Sequence, residues 1–472
     1  MLAVGVGTDL EAIFGPDRVL RDELDCRAYG YDSSFYSRIN QFRADYVVLP
    51  RSTQEVIAVV RYAGERGIPL TPRGSGSGES CGAVPVQGGI VLDFSLWRDV
   101  VKLDVPNMQI IVRPGMIHWD LNELLRPHNL FFPPDPGSSR MATIGGMVAH
   151  NSSGLRAVKY GVTENYVLGL EMVLPDGRLI TTGGQDCLAV KNVSGLNLTK
   201  LFVGSEGILG IITAIRLRLW PRPPARGIVM AVFDSLEDAA QAVLAVFQGG
   251  ILPAGMEILD ASAIEAVNLY YPQAQLPPGE AILLFEVDGN EPSVRWESEQ
   301  IQSLCRRWAT HVEKALDPQR MQQLWEGRSL VAAAVSRLRP EGTRAFIGED
   351  ISVPIACVPQ ALRRIRQLGE KYGIKLVIFG HIGDGNIHTA PVIDPTDPRE
   401  VTDVQHLAHE IHQLALELKG TVTGEHGVGA VRNGYARREH GPALDVMAEI
   451  KDLFDPQGIM NPGKIFPGGS GD

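Results

Sequence analysis

The chain has 472 residues, too many for a single hydrophobic core, since cores stop growing at roughly 250–300 residues. We therefore expect about two or three domains, in a globular protein of ordinary composition with 44% hydrophobic and 21% charged residues. The formal charge of -11 argues against a general nucleic-acid-binding surface, so no nucleic-acid partner is expected. No apolar run reaches the roughly 18 residues of a membrane helix, and residues 1–9 lack the features of a signal peptide. These observations predict a cytoplasmic protein, with at most peripheral association with the inner face of a membrane.

The cysteines are few and scattered, at Cys26, Cys81, Cys187, Cys305 and Cys357. Their spacing contains no C-x-x-C pair, which excludes an iron–sulfur cluster or a zinc ribbon built from this chain alone. The odd number also does not fit a disulfide framework, so a reducing compartment is expected. If the protein transfers electrons, the carrier must be an organic cofactor or lie on a partner.

The first half of the chain alternates predicted strands and helices up to a proline-rich break. Ser52 and Glu55 have the spacing of a capping box, and a helix of apolar periodicity follows until Gly67. A second helix is predicted near 119–125. Strands are predicted at 46–49, 68–71, 90–94, 109–113, 166–174, 179–182 and 211–219. The stretch 220–225, Trp-Pro-Arg-Pro-Pro-Ala, predicts the first domain boundary.

Beyond this boundary the predicted helices become longer and alternate with strands. Strands are predicted at 228–233, 256–259, 281–287, 351–354 and 376–380, and helices after Asp234 and at 294–308 and 359–372. This order favours a split βαβ sheet that serves as a cap on the first part of the chain.

Glycine is concentrated in three stretches, 72–89, 133–161 and 204–210. The first stretch follows a strand, but the residues after Gly78 cannot form the helix that a Rossmann phosphate loop requires. Two interpretations stay open for it, an anion-binding nest of backbone N–H groups and a flexible loop. All three stretches combine glycine with hydroxyl side chains near strand ends. This pattern suits an extended ligand that approaches the backbone closely along its length.

Five motifs in this order resemble a known family. They are Pro72-Arg-Gly-Ser-Gly-Ser-Gly, Pro134-Asp-Pro, Thr143-Ile-Gly-Gly, Gly204-Ser-Glu-Gly-Ile-Leu-Gly and Asp455-Pro-Gln-Gly-Ile-Met-Asn-Pro-Gly-Lys. They resemble the FAD-linked oxidoreductases of the vanillyl-alcohol-oxidase (PCMH) type, and most of all their D-lactate/glycolate dehydrogenase branch, the FAD-linked D-2-hydroxy acid dehydrogenases. The resemblance covers nearly the whole chain after residue 20.

The resemblance implies an α+β fold. A PCMH-type FAD-binding domain of two subdomains would occupy 1–222, with its core near 42–222. An α+β, ferredoxin-like cap domain at 223–430 would carry a metal site, and a C-terminal segment at 431–472 would return to the FAD domain.

The resemblance also implies noncovalent FAD, bound by the glycine-rich stretches. The pyrophosphate would lie on Pro72, Arg73, Gly74, Ser75, Gly76, Ser77 and Gly78. The isoalloxazine and ribityl side would be lined by Pro134, Gly137, Thr143, Gly146, Asn151 and Gly154. The adenosine part would face Glu206, Gly210 and Ile212, and the predicted set is completed by Gly145, Ser152, Gly161, Gly207 and Asn461.

One residue departs from the family pattern near the predicted pyrophosphate site. Family members commonly read G-L-S-G-G-A where this chain has Gly78-Glu-Ser-Cys-Gly-Ala. A carboxylate beside a pyrophosphate is unfavourable, so we expect Glu79 to turn outward. His118 and Cys81 are conceivable anchors for a covalent flavin, but neither lies in an attachment motif.

Two histidine-rich motifs predict a metal site in the second half of the chain. His381-Ile-Gly-Asp-Gly-Asn-Ile-His388 follows an apolar strand, and its glycines permit a turn that brings both imidazoles to one side. Gly424-Glu-His-Gly-Val-Gly lies some forty residues further on. Two histidines and one carboxylate form a divalent-metal site with open positions, suited to Zn, Mn or Fe(II).

The resemblance assigns roles within these motifs. His381, His388 and Glu425 would hold the metal, with Zn or Mn expected before Fe, and His426 would be the general base. Asn386 would hold the substrate carboxylate or serve as an outer partner of the metal. Arg328, which we expect to open a helix of the cap, would bind the substrate carboxylate, since a guanidinium matches a carboxylate with two hydrogen bonds.

The stretch 347–349, Ile-Gly-Glu, bears on substrate size. Relatives that oxidise dicarboxylates carry a basic residue just before the strand at Asp350, and this chain has none there. The sequence therefore favours small monocarboxylates such as D-lactate or glycolate over 2-hydroxyglutarate.

Together these patterns predict an FAD- and metal-dependent dehydrogenase that oxidises a small D-2-hydroxy acid to the 2-oxo acid. The electron acceptor would be external: a quinone, a cytochrome, an electron-transferring flavoprotein or an iron–sulfur partner subunit. The alternatives are a D-2-hydroxyglutarate-type dehydrogenase, an oxidase that reduces O2, and a flavin-binding subunit of a multi-subunit glycolate oxidase complex. A subunit without chemistry is disfavoured, since it would need neither the metal-binding motifs nor His426.

Overall fold

The computed structural model describes residues 5–467 except Phe346, Gly348 and Glu349. The chain forms two compact units. The first unit takes the described parts of Met1–Ser153, Val162–Arg222 and Glu425–Asp472. The second unit takes Gly154–Gly161 and the described parts of Pro223–Gly424.

The strands are short in the first unit and longer in the second. In chain order they are β1 (Val19–Leu20), β2 (Tyr46–Val48), β3 (Leu70–Arg73), β4 (Ile90–Asp93), β5 (Val100–Asp104), β6 (Gln109–Val112), β7 (Leu130–Phe131), β8 (Val167–Val173), β9 (Leu179–Thr181), β10 (Ile211–Arg218), β11 (Trp220–Pro221), β12 (Ala225–Phe233), β13 (Gly255–Asp260), β14 (Ala281–Gly289), β15 (His311–Ala315), β16 (Thr343–Arg344), β17 (Asp350–Ser352), β18 (Lys375–Gly380) and β19 (Asn386–Ile393).

The α-helices range from single turns to five turns. In chain order they are α1 (Val6–Phe14), α2 (Glu23–Ala28), α3 (Phe35–Asn40), α4 (Thr53–Arg66), α5 (His118–Leu125), α6 (Ile144–His150), α7 (Ala157–Tyr160), α8 (Leu198–Phe202), α9 (Leu236–Gln248), α10 (Ala261–Tyr270), α11 (Glu291–Cys305), α12 (Pro318–Ser329), α13 (Val331–Ala334), α14 (Val358–Tyr372), α15 (Pro398–Glu417), α16 (Ala436–His440) and α17 (Ala443–Phe454). Among the helices of the described residues, none has both the length and the apolar character needed to cross a bilayer.

The first unit contains two main sheets. In the sheet of order β1-β2-β4-β3, β2 and β3 run parallel to β4. The sheet of order β5-β6-β10-β8-β9 is antiparallel, and β7 pairs with β11. Each sheet has its own apolar core, so this unit has the two-subdomain organisation expected of a PCMH-type fold.

Helix α4 shows how sequence determines structure in the first unit. Ser52 Oγ accepts the N–H of Glu55 at the start of the helix, and Gly67, with φ +61°, ends it. The Glu55 carboxylate turns back to the start of the helix, as the predicted capping box requires, and accepts backbone N–H groups of Arg51 and Ser52. Four apolar residues at helical spacing, Val56, Val59, Val60 and Ala63, are buried in the core.

The second unit is built on one antiparallel sheet, of order β15-β12-β14-β13-β18-β19-β16, with β17 also paired to β19. Strands β12 and β14 are neighbours, with β15 and β13 on their outer sides. Helix α9 connects β12 to β13, and α11 connects β14 to β15. This is the ferredoxin-like arrangement that the sequence predicts for the cap.

The segment Gly154–Gly161 belongs to the second unit although its neighbours in the chain belong to the first. Arg156 forms an ion pair of 2.7 Å with Glu286, and Lys159 forms one of 2.6 Å with Asp288, both carboxylates lying on β14. Burial alone would raise the pKa of Glu286, but Arg156 and Arg226 together lower it below its usual value. These charge pairs fix the segment to the sheet.

Candidate active site

The three glycine-rich stretches of the first unit lie in contact with one another. A Cβ atom added to Gly74 would lie 2.2 Å from Thr143 Oγ1, so the first and second stretches touch. A Cβ on Gly207 would lie 2.6 Å from Pro72 Cγ, so the third stretch touches the first. The N–H of Gly204 donates to Val148 O at 2.9 Å and joins the third stretch to α6. Residues far apart in sequence are therefore brought together where a single extended ligand could contact them all.

The first stretch is a loop that packs against the side chain of Arg73. Gly76 has φ +69°, and a Cβ there would lie 2.1 Å from Arg73 Nη2. The guanidinium donates to Ala83 O at 3.1 Å, and burial lowers the pKa of Arg73. The described residues 74–89 form no helix, as the sequence predicts. The stretch is therefore a non-helical loop that packs closely against the Arg73 guanidinium.

The second stretch contains helix α6, where the sequence suggested only loop. Thr143 Oγ1 accepts the N–H of Gly146 and begins the helix, and Asn151 ends it with φ +52°. Glycine is a poor helix former, but a Cβ on Gly145 would lie 2.7 Å from Pro114 Cβ. Close packing against Pro114 therefore requires glycine inside this helix.

Glu206 and Asn461 join the third stretch to the C-terminal part of the unit. The two Glu206 oxygens accept the N–H groups of Val428 and Gly429 at 2.8 and 2.7 Å. Asn461 Nδ2 donates to Gly82 O at 2.8 Å and to Glu206 O at 2.7 Å. The carboxylate, the carbonyl and the N–H of Glu206 are therefore all hydrogen-bonded within the unit.

Three buried polar atoms of this unit fit a bound cofactor. Asn461 Oδ1, Ser80 Oγ and His150 Nδ1 have no hydrogen-bond partner among the described residues. Gly82 lies between two of them, because it accepts from Asn461 and its Cβ would lie 2.7 Å from His150 Nε2. Buried polar groups are normally hydrogen-bonded, so this cluster suits a ligand with many polar atoms such as FAD.

The remaining predicted cofactor residues are distributed over both units. Gly154 and Gly161 fall in the segment of the second unit. Within the first unit, Ile212 lies in β10 opposite Met172, and Gly210 precedes that strand with φ +152°.

The two conceivable covalent anchors are poorly suited to that role. Burial raises the pKa of the Cys81 thiol to about 12, so the reactive thiolate is absent near neutral pH. His118 Nδ1 lies 2.7 Å from Ser139 Oγ, and His118 Nε2 lies 3.0 Å from Asn122 Nδ2. Both ring nitrogens are thus hydrogen-bonded within the unit.

The expectation that Glu79 turns outward is wrong. Its side chain is only 18% exposed, and Oε2 lies 3.4 Å from Nδ1 of His426, the predicted base. The carboxylate therefore faces an imidazole within the unit instead of solvent. His426 Nε2 lies 3.7 Å from Glu425 Oε1.

In the second unit, His381 and His388 come from a hairpin of β18 and β19. His381 follows β18, a short turn leads to Gly385 at φ +82°, and His388 is the third residue of β19. The two rings are perpendicular, with centroids 5.0 Å apart, and both side chains are buried. The predicted turn that brings both imidazoles to one side is therefore confirmed.

Glu257 on β13 links His381 to Arg328. Its Oε1 lies 2.8 Å from His381 Nδ1, and its Oε2 lies 2.5 Å from Arg328 Nη2. The Arg328 guanidinium also lies over the Phe379 ring, 5.1 Å from its centroid. Metal-binding histidines commonly have a carboxylate on the second ring nitrogen, so His381 has the environment of a metal ligand.

Arg328 lies in the last turn of α12, and the prediction that it opens a helix is wrong. The helix begins earlier, because Asp317 accepts the N–H of Arg320 and Pro318 occupies the first helical position. Arg328 is buried, and neither its Nε nor its Nη2 has a hydrogen bond among the described residues, although Nη2 is ion-paired with Glu257. The Nε donor is suited to an anionic ligand.

Asp350 accepts hydrogen bonds from two side chains near the hairpin of β18 and β19. Asn386 Nδ2 donates to Asp350 Oδ1 at 2.8 Å and to Ile351 O at 3.0 Å, and Thr423 Oγ1 donates to Asp350 Oδ2 at 2.6 Å. The His388 Nδ1 atom lies 3.8 Å from Asp350 Oδ1. With both amide hydrogens of Asn386 occupied, this geometry is against its predicted role in holding the substrate carboxylate. The alternative role, as an outer partner of a metal, stays a prediction.

Glu425 begins the C-terminal part of the first unit. Within that unit, Ser153 Oγ donates to Glu425 Oε2 at 2.8 Å. The preceding residue, Gly424, belongs to the second unit, where a Cβ on it would lie 2.2 Å from Asn386 Nδ2.

Sequence reasoning missed Glu257, Asp350 and Ser153. A usable signal existed for Glu257, since a carboxylate inside an otherwise apolar strand calls for a buried partner. Asp350 begins a short strand, which carries no such signal. Ser153 lies in the predicted flavin-binding stretch, where its contact with a residue 272 positions away is invisible in sequence.

Comparison with known families agrees with this geometry. A family model described as "FAD linked oxidases, C-terminal domain" matches residues 222–465, and a model described as "FAD binding domain" matches residues 44–183. The chain belongs to the FAD-linked oxidase family and is an FAD-linked oxidoreductase, as the sequence motifs predict.

Individual relatives refine this assignment. Glycolate oxidase subunit GlcD of Bacillus subtilis is 36% identical over 99% of this chain and 97% of its own length. D-lactate dehydrogenase of Archaeoglobus fulgidus is 35% identical over 89% of this chain and 90% of its own length. The Arabidopsis thaliana protein named D-lactate dehydrogenase [cytochrome], mitochondrial, is 34% identical over 92% of this chain and 75% of its own length.

Solved structures confirm the fold class. The 4-ethylphenol oxidase of Gulosibacter chungangensis superposes with a TM-score of 0.81 at 20% identity, covering 99% of both chains. p-Cresol methylhydroxylase superposes with a TM-score of 0.79 at 17% identity, covering 98% of this chain and 97% of that one. At these identities the likeness concerns the fold alone.

Proposed function

We propose that the protein oxidises a small D-2-hydroxy acid, D-lactate or glycolate, to the 2-oxo acid, with FAD as the electron acceptor and a divalent metal as a second cofactor. The supporting observation is the grouping of His381, His388, Glu257 and Arg328 within the second unit. Two imidazoles beside a buried guanidinium suit a metal-bound anion such as a 2-hydroxy carboxylate.

His381 and His388 would be two of the metal ligands, with Glu425 as the third. Glu425 is proposed because it follows Gly424 directly in the chain, and Gly424 lies against Asn386 beside the hairpin. Ser153 would orient the Glu425 carboxylate through its hydrogen bond of 2.8 Å. The donor set of two nitrogens and one oxygen suits Zn, Mn or Fe(II).

The roles of the chain's own residues follow from their environment. Arg328 would hold the substrate carboxylate through Nε, since Nη2 faces Glu257. His426 would take the hydroxyl proton at Nε2, since its Nδ1 faces Glu79. When bound, the metal would supply a Lewis acid for the substrate hydroxyl and FAD would supply a hydride acceptor.

FAD would be bound noncovalently by the glycine-rich stretches of the first unit. The protonated Cys81 thiol and the hydrogen-bonded His118 ring support noncovalent binding. The unpartnered Asn461 Oδ1, Ser80 Oγ and His150 Nδ1 would contact the cofactor.

The preference for a monocarboxylate rests on the sequence before β17. Ile347 is buried, whereas Gly348 and Glu349 lie outside the described residues. No basic residue stands at 347–349 to bind a second carboxylate.

The reduced flavin would be reoxidised by an external acceptor. Two relatives carry names that suit this proposal, since one is called a subunit and another a cytochrome-linked dehydrogenase. A cytochrome or a partner subunit with its own redox centre is the proposed acceptor.

The experiment that tests this function is anaerobic reduction of the flavin absorbance near about 450 nm. D-lactate, L-lactate, glycolate and D-2-hydroxyglutarate would each be added to the purified protein, before and after removal of metal with EDTA. We expect bleaching by D-lactate or glycolate, its loss after chelation, and its return when Zn or Mn is added back.

Other outcomes contradict defined parts of the proposal. A yellow protein that none of the acids reduces contradicts the hydroxy-acid substrate. Bleaching by D-2-hydroxyglutarate alone contradicts the monocarboxylate preference, and bleaching unaffected by EDTA contradicts the metal. Rapid peroxide formation in air would identify an oxidase in place of a dehydrogenase.

A further inference from the structure

Glu257 is a carboxylate in an environment that is otherwise apolar. Strand β13 is buried along its whole length, and Glu257 itself is 0% exposed. Its neighbours on the strand are Met256 and Ile258, both buried in the sheet. A carboxylate in such a place needs a cationic or hydrogen-bonding partner, because burying an unpaired charge is costly.

The two oxygens of Glu257 have different partners. Oε1 lies 2.8 Å from Nδ1 of His381, and Oε2 lies 2.5 Å from Nη2 of Arg328. The pairing of β13 with β18, in which Ile258 is opposite Gly380, puts Glu257 beside His381. A single carboxylate thus orients the imidazole proposed to bind the metal and the guanidinium proposed to bind the substrate.

Each of the two contacts of Glu257 determines which nitrogen of its partner is available to a ligand. With Nδ1 on Glu257, His381 would bind a metal through Nε2, and the carboxylate makes that nitrogen a stronger ligand. With Nη2 on Glu257 and its plane against Phe379, the Arg328 guanidinium has one orientation. Neither its buried Nε nor its Nη2 has a hydrogen bond among the described residues, and since Nη2 is ion-paired with Glu257, Nε is the donor we assign to an anionic ligand.

We propose that Glu257 is a positioning residue that sets the distance between the metal and the substrate carboxylate by holding His381 and Arg328 together. This inference rests on the proposed function and deepens it. A 2-hydroxy acid has its hydroxyl and carboxylate on adjacent carbons, so the two groups that bind them must be held at one fixed separation. Glu257 provides that separation and selects for this class of substrate.

The variant Glu257→Gln distinguishes two roles of Glu257, the positioning of His381 and Arg328 and the mere stabilisation of the fold by an ion pair. The glutamine oxygen can still accept the Nδ1 hydrogen of His381, but the amide NH2 then faces Arg328 Nη2, which is also a donor. Arg328 should turn away, while the change in volume is negligible. Glu286→Gln is the matched control, since Glu286 lies on the neighbouring strand β14, is 3% exposed and pairs with arginine but contacts no proposed ligand residue.

The measurements compare wild type, Glu257→Gln and Glu286→Gln as FAD-loaded proteins. Metal retention is followed by elemental analysis after dialysis against graded EDTA, and KM and kcat are measured with D-lactate and glycolate. In Glu257→Gln we expect metal affinity to fall about tenfold or more and KM to rise by a similar factor, with FAD content unchanged. Glu286→Gln should lower the thermal midpoint and leave metal retention and KM at wild-type values.

The possible failures are distinguishable. If no hydroxy acid reduces the wild-type flavin, the proposed function fails, whatever Glu257 does. If the wild type is reduced but Glu257→Gln matches Glu286→Gln in metal retention and KM, the positioning role is overturned. Should Glu257→Gln not fold, Glu257→Asp keeps the charge but is one methylene shorter. Wild-type metal retention and KM in Glu257→Asp would equally overturn the inference.

Discussion

The two units build their candidate sites from different parts of the chain. In the first unit, the candidate site consists of glycine-rich stretches that touch where any side chain on Gly74 would collide with Thr143. In the second unit, the candidate site consists of ionisable side chains buried in a sheet, each held by another, as Glu257 holds His381. The first site therefore depends on the absence of side chains, and the second on charge pairing.

This difference predicts which kind of substitution should disrupt ligand binding at each candidate site. A site made of backbone should fail through steric collision, when a Cβ atom pushes two loops apart. A site made of buried charges should fail electrostatically, with little change in shape, when one member of a pair is neutralised. The predictions below test whether damage to one site leaves the ligand of the other in place.

The largest effect is expected from His381→Ala in the second unit. Loss of a proposed metal ligand should slow anaerobic flavin reduction by D-lactate at least about a thousandfold, because metal catalysis contributes several kcal/mol. The flavin content should stay at the wild-type ratio, as measured by absorbance after gel filtration. His406→Ala, at an exposed histidine of α15, is the control and should reduce at the wild-type rate. An active His381→Ala protein would contradict the metal site.

A smaller effect is expected in the first unit, from Gly74→Ala. The added Cβ would lie 2.2 Å from Thr143 Oγ1, and the strain of moving the loops is about 1–3 kcal/mol. FAD affinity should fall about tenfold to a hundredfold by fluorescence titration of the apoprotein, while metal retention is unchanged. Gly434→Ala is the control, because a Cβ there meets nothing within 4 Å. Tight FAD binding by Gly74→Ala would show that the loops do not need this close approach.

Glu206→Gln should affect stability more than catalysis. The carboxylate accepts two backbone N–H groups, and a glutamine would turn its own NH2 toward one of them. The unpaired N–H should cost about 1–3 kcal/mol in the free energy of unfolding, measured in urea. Glu237→Gln, which breaks an exposed ion pair with Arg363, should change stability by less than about 1 kcal/mol. Equal stabilities of the two variants would contradict the role of Glu206.

The smallest expected effect is a dependence of the free energy of unfolding on pH, caused by Asp260 in the second unit. Burial raises the pKa of Asp260 to about 7, although it accepts the N–H of Ala263 at the start of α10. Between its ordinary pKa of 3.8 and about 7, the native protein keeps a proton that the unfolded chain has lost. The contribution of Asp260 to stability therefore falls as pH rises through this window.

Asp260→Asn removes this titration. Relative to wild type, the variant should gain about 1 kcal/mol in unfolding free energy between pH 6 and pH 7, measured by urea titration at each pH. A difference between the two proteins that does not change with pH would contradict the raised pKa.

Sequence patterns were most informative where local chemistry determines local structure. Periodicity predicts the helix after Ser52 and the strands of the sheet in the second unit. The glycine and histidine motifs indicate the residues of the two candidate sites. Helix α6 was missed because two glycines oppose it locally and only the contact with Pro114 explains Gly145. The inward orientation of Glu79 was missed because its neighbour, His426, is 347 positions away and belongs to the same unit only after folding.

The partners of the predicted ligands were also beyond sequence reasoning. Glu257 and His381 are separated by 124 positions, and their contact depends on the pairing of β13 with β18. Periodicity reports which face of a strand is buried, but it does not report which strands are adjacent. The residues proposed to bind the ligands could therefore be named from sequence, whereas the residues that contact and orient them could not.

The chain passes between its two units four times, at 153/154, 161/162, 222/223 and 424/425. The short excursion Gly154–Gly161 supplies Arg156 and Lys159 to carboxylates of β14. A fragment that begins at Pro223 would therefore lack both cations, so Asp288 would lose its ion pair with Lys159 and Glu286 would keep only Arg226. It follows that the halves of this protein cannot be exchanged between relatives as cassettes cut at a single junction. A functional chimera would have to carry the eight-residue excursion together with the unit to which it belongs.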